Sequence, residues 1–244
     1  MARPLLAVIG DIHYSLRQAR HPLDTVLSHI AEAHVDGILV VGDLVAGPLM
    51  AHNATDPMVR AVYFATAEAA IARVAALGVP LLWVPGNHDL PEFGRDGHPS
   101  GNIDGGVAEL AGLRVAGIGG AGPERFGFCY EWSEAQIQAR PEPDCDVLLC
   151  HCPPRDTALD LTRSGEHVGS AAIRARALRH RGVLVCGHIH ESPAAEQLGD
   201  SLMLNAGGLG APYGAAQLGF VCGKDEVRHV SLATGLTRRW QRRG

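Results

Sequence analysis

Leu5-Leu6-Ala7-Val8-Ile9-Gly10-Asp11-Ile12-His13 is the stretch of sequence that decides the fold. A short apolar run rich in strand-forming residues leads through a glycine into an aspartate and a histidine, which are spaced two apart. In extended backbone, residues two apart lie on the same side of the chain. In an open α/β sheet, ligands bind beyond the carboxyl ends of the strands. The stretch therefore predicts a strand that delivers Asp11 and His13 to a functional site.

The same arrangement recurs at four further places along the chain. Each time, a short apolar run ends at a residue type that binds metal ions. If these runs are strands of α/β sheets, five separate segments bring aspartate, histidine and asparagine side chains to one rim. The four further stretches are Gly42-Asp43, Gly86-Asn87-His88-Asp89, His151, and Gly187-His188-Ile189-His190.

Helical patterns lie between the early strands and predict βα units. Asp56-Pro57 has the form of an N-cap followed by proline at the first helical position, and Ser133 with Gln136 fits a capping box. We also expect helices over residues 23–33 and from Ala171. The later runs lack helices between them and predict an antiparallel meander. The predicted strands are 5–9, 38–41, 81–84, 113–118, 147–150, 183–186, 202–204, 217–222 and 227–232.

The ligand types favour a pair of divalent transition ions. Imidazole suits zinc, iron or nickel, whereas carboxylate and amide oxygens suit manganese or magnesium, so a mixed set fits manganese, iron or zinc. Two ions roughly 3.5 to 4 Å apart form the clamp that supports in-line displacement at phosphorus. The candidate residues therefore indicate metal-assisted hydrolysis of a phosphate ester.

The ordered series DxH, GD, GNHD, H and GHxH, spread from residue 11 to residue 190, resembles the calcineurin-like metallophosphoesterase superfamily. Further stretches such as His151-Cys152-Pro153-Pro154 resemble uncharacterised prokaryotic members. The resemblance implies an α/β fold with a four-layer αββα sandwich, in which two mixed sheets are flanked by helices. We expect residues 1–244 to form a single domain of this kind.

The resemblance also implies a role for each motif residue. Asp11, His13 and His190 would hold one metal ion, Asn87, His151 and His188 would hold a second, and Asp43 would bridge both. The catalytic residues would be His88, which lies over the substrate phosphate, and Asp89, which orients His88. The implied cofactors are two divalent metal ions, with manganese expected and iron, zinc, nickel or magnesium as alternatives. A hydroxide bound to both ions would attack phosphorus.

The substrate expectation rests on fewer residues. The GNHD form, with Asp89 where relatives also have glutamate, resembles the cyclic-nucleotide phosphodiesterase branch among others, so phosphodiesters are favoured. Phosphomonoesters are the alternative, and a non-catalytic scaffold of the same fold is a further one. His167 lies in a glycine-rich loop after the His151 strand and is expected to contact the substrate, because such loops carry binding residues.

Composition restricts the partners and the location. The 244-residue chain has a net charge of -5 and a pI of about 6.2, so no stable nucleic-acid complex is expected. No apolar run is long enough for a membrane span, and the chain is expected to be cytoplasmic. Its partner is a small phosphate ester, and nothing indicates an oligomeric state. Six cysteines without a CxxC pair predict reduced core thiols, and the arginine-rich tail predicts a solvated end.

Overall fold

The computed structural model describes residues 3–18, 20–47, 49–96, 99–209 and 216–243. Four helices and twelve strands lie in these ranges. The helices are α1 (Pro22–Ala33), α2 (Pro57–Ala75), α3 (Glu134–Ala139) and α4 (Ala171–Arg179). The strands are β1 (Leu5–Ile9), β2 (Gly37–Val40), β3 (Leu81–Trp83), β4 (Val107–Leu110), β5 (Leu113–Ile118), β6 (Val147–Cys150), β7 (Val183–Cys186), β8 (Ala194–Leu198), β9 (Ser201–Asn205), β10 (Gln217–Cys222), β11 (Glu226–Ser231) and β12 (Leu236–Gln241).

Two mixed six-stranded sheets form the frame of the protein. The first sheet has the order β12-β11-β10-β1-β2-β3, with β1, β2 and β3 parallel and β10, β11 and β12 forming an antiparallel meander. The second has the order β4-β5-β6-β7-β9-β8, in which β5, β6, β7 and β9 are parallel. The predicted α/β class, with two mixed sheets, is confirmed.

Three apolar clusters fill the spaces between four layers. Leu23 and Ile71, from α1 and α2, pack on one face of the first sheet. The central cluster lies between the two sheets and includes Val8 of β1 and Leu149 of β6. Ile173 of α4 packs in the third cluster on the outer face of the second sheet. Alternate residues of a strand face opposite sides. Both faces of β1 pack against apolar clusters, so the strand is apolar throughout.

The predicted helix starts are confirmed. Asp56 accepts hydrogen bonds from two backbone amides at the start of α2, and Ser133 and Gln136 form a reciprocal capping box. Ser170 caps α4. These caps satisfy amides that have no partner within the first turn of a helix.

Three strands were not anticipated from the sequence, namely β4, β8 and β12. Each lies at the edge of its sheet. Edge strands bury few side chains and therefore carry weak apolar patterns, as the exposed side chains of β12 illustrate. The arginine-rich tail is solvent-exposed at Arg238 and Arg239, as predicted, but the backbone of both residues is also paired with β11, which was not predicted.

The cysteines are free, as predicted, and four of the six are buried. Among the described residues, no helix combines the length and the apolar character that crossing a membrane requires. The cytoplasmic location stays a prediction.

Candidate active site

The motif residues converge at the carboxyl ends of strands from both sheets. Strands β1 and β2 of the first sheet lead to Asp11 and Asp43, and β6 and β7 of the second lead to His151 and His188. The rim between the two sheets thus collects side chains from both. Asp11, Asp43, Asn87 and His151 are fully or almost fully buried.

One group of ligand atoms combines residues from β1, β2 and the loop after β7. Candidate ligand atoms of Asp11, His13, Asp43 and His190 all lie within 4.8 Å of one another. The Nε2 atoms of His13 and His190 are 3.0 Å apart, and His190 Nε2 lies 3.3 Å from Asp11 Oδ1. This spacing matches a set of side chains directed at one common point.

A second group lies on the other side of Asp43. His151 Nε2 lies 2.9 Å from Asn87 Oδ1 and 3.6 Å from Asp43 Oδ1. The other ring nitrogen of His151 lies 2.5 Å from the backbone oxygen of Val41, which fixes the orientation of the ring. The His188 ring packs against His151 with a centroid distance of 5.1 Å.

Asp43 stands between these groups, with one carboxylate oxygen directed toward each. Its Oδ2 lies 3.9 Å from His13 Nε2, and its Oδ1 lies 3.6 Å from His151 Nε2. Oδ1 also accepts a hydrogen bond of 3.0 Å from the backbone amide of His88. The position suits a carboxylate shared by two cations.

Electrostatics at the rim favour ionised aspartates and mostly neutral histidines. Burial, with the neighbouring His151, lowers the pKa of His188 to about 3, and burial also lowers the pKa of His13. Burial alone would raise the pKa of Asp43, but the surrounding imidazoles, led by His151, hold it below its usual value. Neutral imidazole and ionised carboxylate are the forms that bind metal ions.

His190 differs from these two histidines. Burial opposes its protonation, but the adjacent Asp11 carboxylate outweighs burial and raises the pKa of His190. The Asp11 carboxylate thus favours the protonated form of His190 when no other cation is present. A metal ion between them would take the place of the proton, because a ligating imidazole must be deprotonated.

Backbone strain is concentrated in the same residues. Among the described residues, seven that are not glycine have positive φ, and four of these belong to the site: Asp11 at 40°, His13 at 46°, Asp43 at 49° and His188 at 68°. Side chains other than glycine rarely adopt this region, and such strain clusters at functional sites. The backbone amide of His188 donates to both oxygens of Asp11 at 3.0 Å, which helps hold two of the strained residues together.

Two motif glycines are required by close backbone approach. A Cβ atom on Gly86 would overlap Asp43 Oδ1, and one on Gly42 would overlap the backbone nitrogen of Gly86. Gly42 also has a φ of +94°. The glycines of GD and GNHD therefore let the loops after β2 and β3 contact each other directly.

Asp89 does not pair with His88, contrary to the prediction. The buried Asp89 carboxylate instead accepts hydrogen bonds from the backbone amides of Leu44 and Gly86, and from the hydroxyl of Tyr63 at 3.1 Å. Within the described part of the chain, His88 Nδ1 has no hydrogen-bond partner, and it lies 3.9 Å from Asp43 Oδ2. The backbone amides of the tight glycine turns, and not the His88 ring, donate to the Asp89 carboxylate. Asp89 therefore connects the loop after β2 with the loop after β3.

Burial and the nearby Asp43 charge raise the pKa of Asp89 to about 7. The Tyr63 ring is buried in α2. Its hydroxyl contact with Asp89 has no local sequence signal, because α2 and the GNHD turn are distant in sequence.

An aromatic residue beside His88 was also missed. The rings of His88 and Phe128 have centroids 4.6 Å apart and are tilted by 36°. Phe128 lies in the loop between β5 and α3, where no motif or periodicity marked it.

His167, the predicted substrate contact, is exposed and pairs with a buried carboxylate. Its Nδ1 lies 2.7 Å from Asp160 Oδ1. Asp160 also accepts from the backbone amides of Thr157 and Gly169. No hydrogen bond or ring contact described for these residues joins His167 to the two ligand groups, so its role in substrate binding stays a prediction.

The donor set fits divalent metal ions. Seven side chains from five segments supply imidazole nitrogens, carboxylate oxygens and an amide oxygen, which are the usual ligands of manganese, iron and zinc. Two imidazole nitrogens, from His13 and His190, face each other at 3.0 Å beside the Asp11 carboxylate. A cation between these atoms would satisfy all of them.

Comparison with known proteins agrees with the geometry. The family model for calcineurin-like phosphoesterases matches residues 4–192. A protein of Mycobacterium tuberculosis described as a cAMP/cGMP dual specificity phosphodiesterase is 30% identical over 218 residues, covering 76% of this chain and 68% of the relative.

Two further proteins show how far the likeness extends. An uncharacterised protein of Methanocaldococcus jannaschii is 29% identical over 136 residues, covering 51% of this chain, and the match spans 62% of that relative's length. The crystal structure of a dimetal phosphatase from Danio rerio matches with a TM-score of 0.66 and 14% identity, covering 100% of both chains. At this level of identity, the structural match supports the fold alone.

Proposed function

The chain belongs to the calcineurin-like phosphoesterase family, and from that premise we propose that it is a dinuclear metal-dependent phosphoesterase that favours phosphodiesters. The family match extends over all five motif segments, from Asp11 to His190. The observation that carries the proposal is the position of Asp43, whose two carboxylate oxygens face two different groups of ligands.

In this proposal, Asp11, His13 and His190 hold one ion and Asn87, His151 and His188 hold the other, with Asp43 between them. Two divalent ions held in this way would lower the pKa of a shared water toward neutrality and offset charge on the phosphoryl oxygens. The protein holds the metal-binding side chains in their orientations before the metal ions bind. The Val41 oxygen orients His151, and the His188 amide orients Asp11.

In this proposal His88 is a proton donor and not a metal ligand. Its side chain is 17% exposed, so part of the ring reaches solvent, while its Nδ1 is buried and makes no hydrogen bond to any described residue. A histidine placed in this way can donate to a phosphoryl oxygen or protonate the departing alkoxide. Packing against Phe128 and the backbone bond to Asp43 hold it at the edge of the ligand groups.

The preference for diesters is supported by the relative from Mycobacterium tuberculosis, whose description names cAMP and cGMP. Cyclic nucleotides are phosphodiesters with poor alkoxide leaving groups, which benefit most from a proton donor such as His88. We propose nucleotide diesters as the substrate class and monoesters as the alternative within the same chemistry.

A comparison of matched esters tests the proposal. The protein is loaded in turn with manganese, magnesium, zinc and nickel, and kcat/KM is measured for aryl monoesters, aryl diesters and cyclic nucleotides. We expect hydrolysis with at least one of these metals and a higher kcat/KM for diesters. A clear preference for monoesters would overturn the substrate claim, whereas no hydrolysis of any ester would overturn the reaction class.

A further inference from the structure

Two phenylalanines extend from the active site to the protein surface. Phe128 packs on His88, and Phe126 lies 5.9 Å from Phe128 between ring centroids. Phe126 is 59% exposed. Exposing a large apolar ring next to a polar site costs solvation free energy, and such exposed surfaces commonly mark binding sites.

The loop that carries both rings is firmly anchored. The Glu131 carboxylate accepts hydrogen bonds from the consecutive backbone amides of Arg125, Phe126 and Gly127. The backbone oxygen of Gly127 also accepts from the amide of Ala51 at 2.9 Å. The rings are thus presented by an ordered turn, and a ligand would lose little loop entropy when it binds.

The same loop is joined to the catalytic turn. The backbone amide of Tyr130 donates to the oxygen of Asn87 at 3.3 Å, and the Cys129 thiol donates to the backbone oxygen of Asp89 at 3.0 Å. The position of the two rings is therefore fixed relative to the turn formed by Asn87, His88 and Asp89.

We propose that Phe126 and Phe128 form an aromatic platform for the nucleobase of a nucleotide substrate. The base stacks on the exposed Phe126 ring, and Phe128, tilted by 53° from that ring, lies on the side toward His88. The proposal rests on the proposed function, because it places the scissile phosphate at the ligand groups beside His88. The guanidinium of Arg125 lies 5.4 Å from the centre of the Phe126 ring. Aromatic rings combined with an arginine are a common support for nucleobases, since every base has a π-face.

The chemistry favours a nucleobase over an aliphatic occupant. A flat ring attached to a phosphate through a sugar can reach the platform while its phosphate stays beside His88. The platform reads the face of a base and not its edge, so it selects nucleotides over aliphatic phosphate esters without distinguishing adenine from guanine.

Product binding tests the platform without relying on turnover. Calorimetry on the manganese-loaded protein compares adenosine 5′-monophosphate with ribose 5-phosphate, which lacks the base. We expect the wild-type protein to bind the nucleotide about 10-fold more tightly. Phe126→Ala should abolish this preference, and Phe126→Trp should retain it. Stacking should also shift the adenine proton resonances upfield in the wild-type protein but not in Phe126→Ala.

A matched control is Leu236→Ala, which removes an exposed apolar side chain from β12, at the far edge of the first sheet. It should retain the preference for the nucleotide. An unchanged preference in Phe126→Ala would overturn the platform. If the sedimentation of Phe126→Ala then also differs from that of the wild-type protein, the exposed ring belongs to an interface between copies.

The platform and the proposed function can fail separately. Hydrolysis of diesters by a protein without nucleotide preference would overturn the platform alone. Nucleotide stacking by a protein that cleaves no phosphate ester would overturn the reaction and leave the platform intact.

Discussion

Two buried carboxylates, Asp43 at the rim and Glu226 on β11, differ in the charge of the side chains that surround them. Glu226 forms ion pairs with Arg228 and Arg239 and accepts a hydrogen bond from Gln241. Asp43 faces imidazoles at 3.6 to 3.9 Å and accepts a backbone amide. The exposed fractions are similar, 2% for Glu226 and 1% for Asp43.

The difference lies in the charge of the partners. Arginine is always protonated, so the chain itself neutralises Glu226. Burial lowers the pKa of His13 and His188, so these two rim histidines carry no permanent positive charge for Asp43. A buried carboxylate without a permanently charged partner is costly. Glu226 therefore has its counter-charge within the chain, whereas the surroundings of Asp43 suit a bound cation.

The strongest test of this contrast removes each carboxylate in turn. Asp43→Ala should lose both metal ions, with affinity lowered by more than about 100-fold, because loss of a direct ligand exceeds the effect of an outer hydrogen bond. Glu226→Gln should keep both. Elemental analysis after dialysis gives the metal content per chain. Two tightly held ions in Asp43→Ala would show that Asp43 does not bridge.

His88→Ala separates a proton donor from a metal ligand at the same rim. The variant should keep its metal ions and lose roughly 10²- to 10⁴-fold in kcat for alkyl esters, with a smaller loss for nitrophenyl esters, whose leaving group needs little protonation. Steady-state kinetics and metal analysis provide the measurement. Equal losses for both leaving groups would assign His88 to the phosphoryl oxygens, and loss of a metal would make it a ligand.

Asp89→Asn tests whether this third buried carboxylate resembles Glu226 more than Asp43. Because Asp89 accepts from two backbone amides and Tyr63, an amide in its place would direct hydrogens at one of these donors. We expect the free energy of unfolding to fall by about 1 to 3 kcal/mol, and by less in Tyr63→Phe.

Urea unfolding of the metal-free protein measures both Asp89→Asn and Tyr63→Phe. If Asp89→Asn keeps full stability and instead alters the leaving-group dependence in the manner of His88→Ala, then Asp89 acts through His88 after all.

The smallest effect is expected for the stability contribution of Glu226. Burial opposes its ionisation, but Arg228, Arg239 and Gln241 hold its pKa at about 2, below the ordinary value of 4.5. Its contribution is therefore present above pH 4.5 and is lost as the pH falls toward about 2. Glu226→Gln should cost about 1 to 2 kcal/mol at pH 7, since the arginine partners are partly exposed. Urea unfolding at several pH values should show the difference from wild type shrinking with acidification; a constant difference would contradict it.

The central strands and the helix caps could be predicted because their determinants are local. The run Leu113–Ile118 was predicted with its observed bounds, as was the cap at Ser133. The edge strand β12 could not, because its residues bury little apolar surface and pair only through the backbone. Partners for Asp89 could not be predicted either, because Tyr63 and Leu44 come from distant segments.

The sequence by itself determined the family, since the five ordered motifs specify which side chains reach the rim. It also indicated which metal ions the chemistry of these side chains suits. Tertiary structure decided how those side chains are used. Only the packing of the two sheets places Asp43 between two groups of candidate ligands. Packing also brings backbone amides within hydrogen-bonding distance of Asp89 and brings the Phe128 ring into contact with His88. Motif spacing records contacts along one strand or turn, whereas these pairings depend on distances between segments that are far apart in the chain.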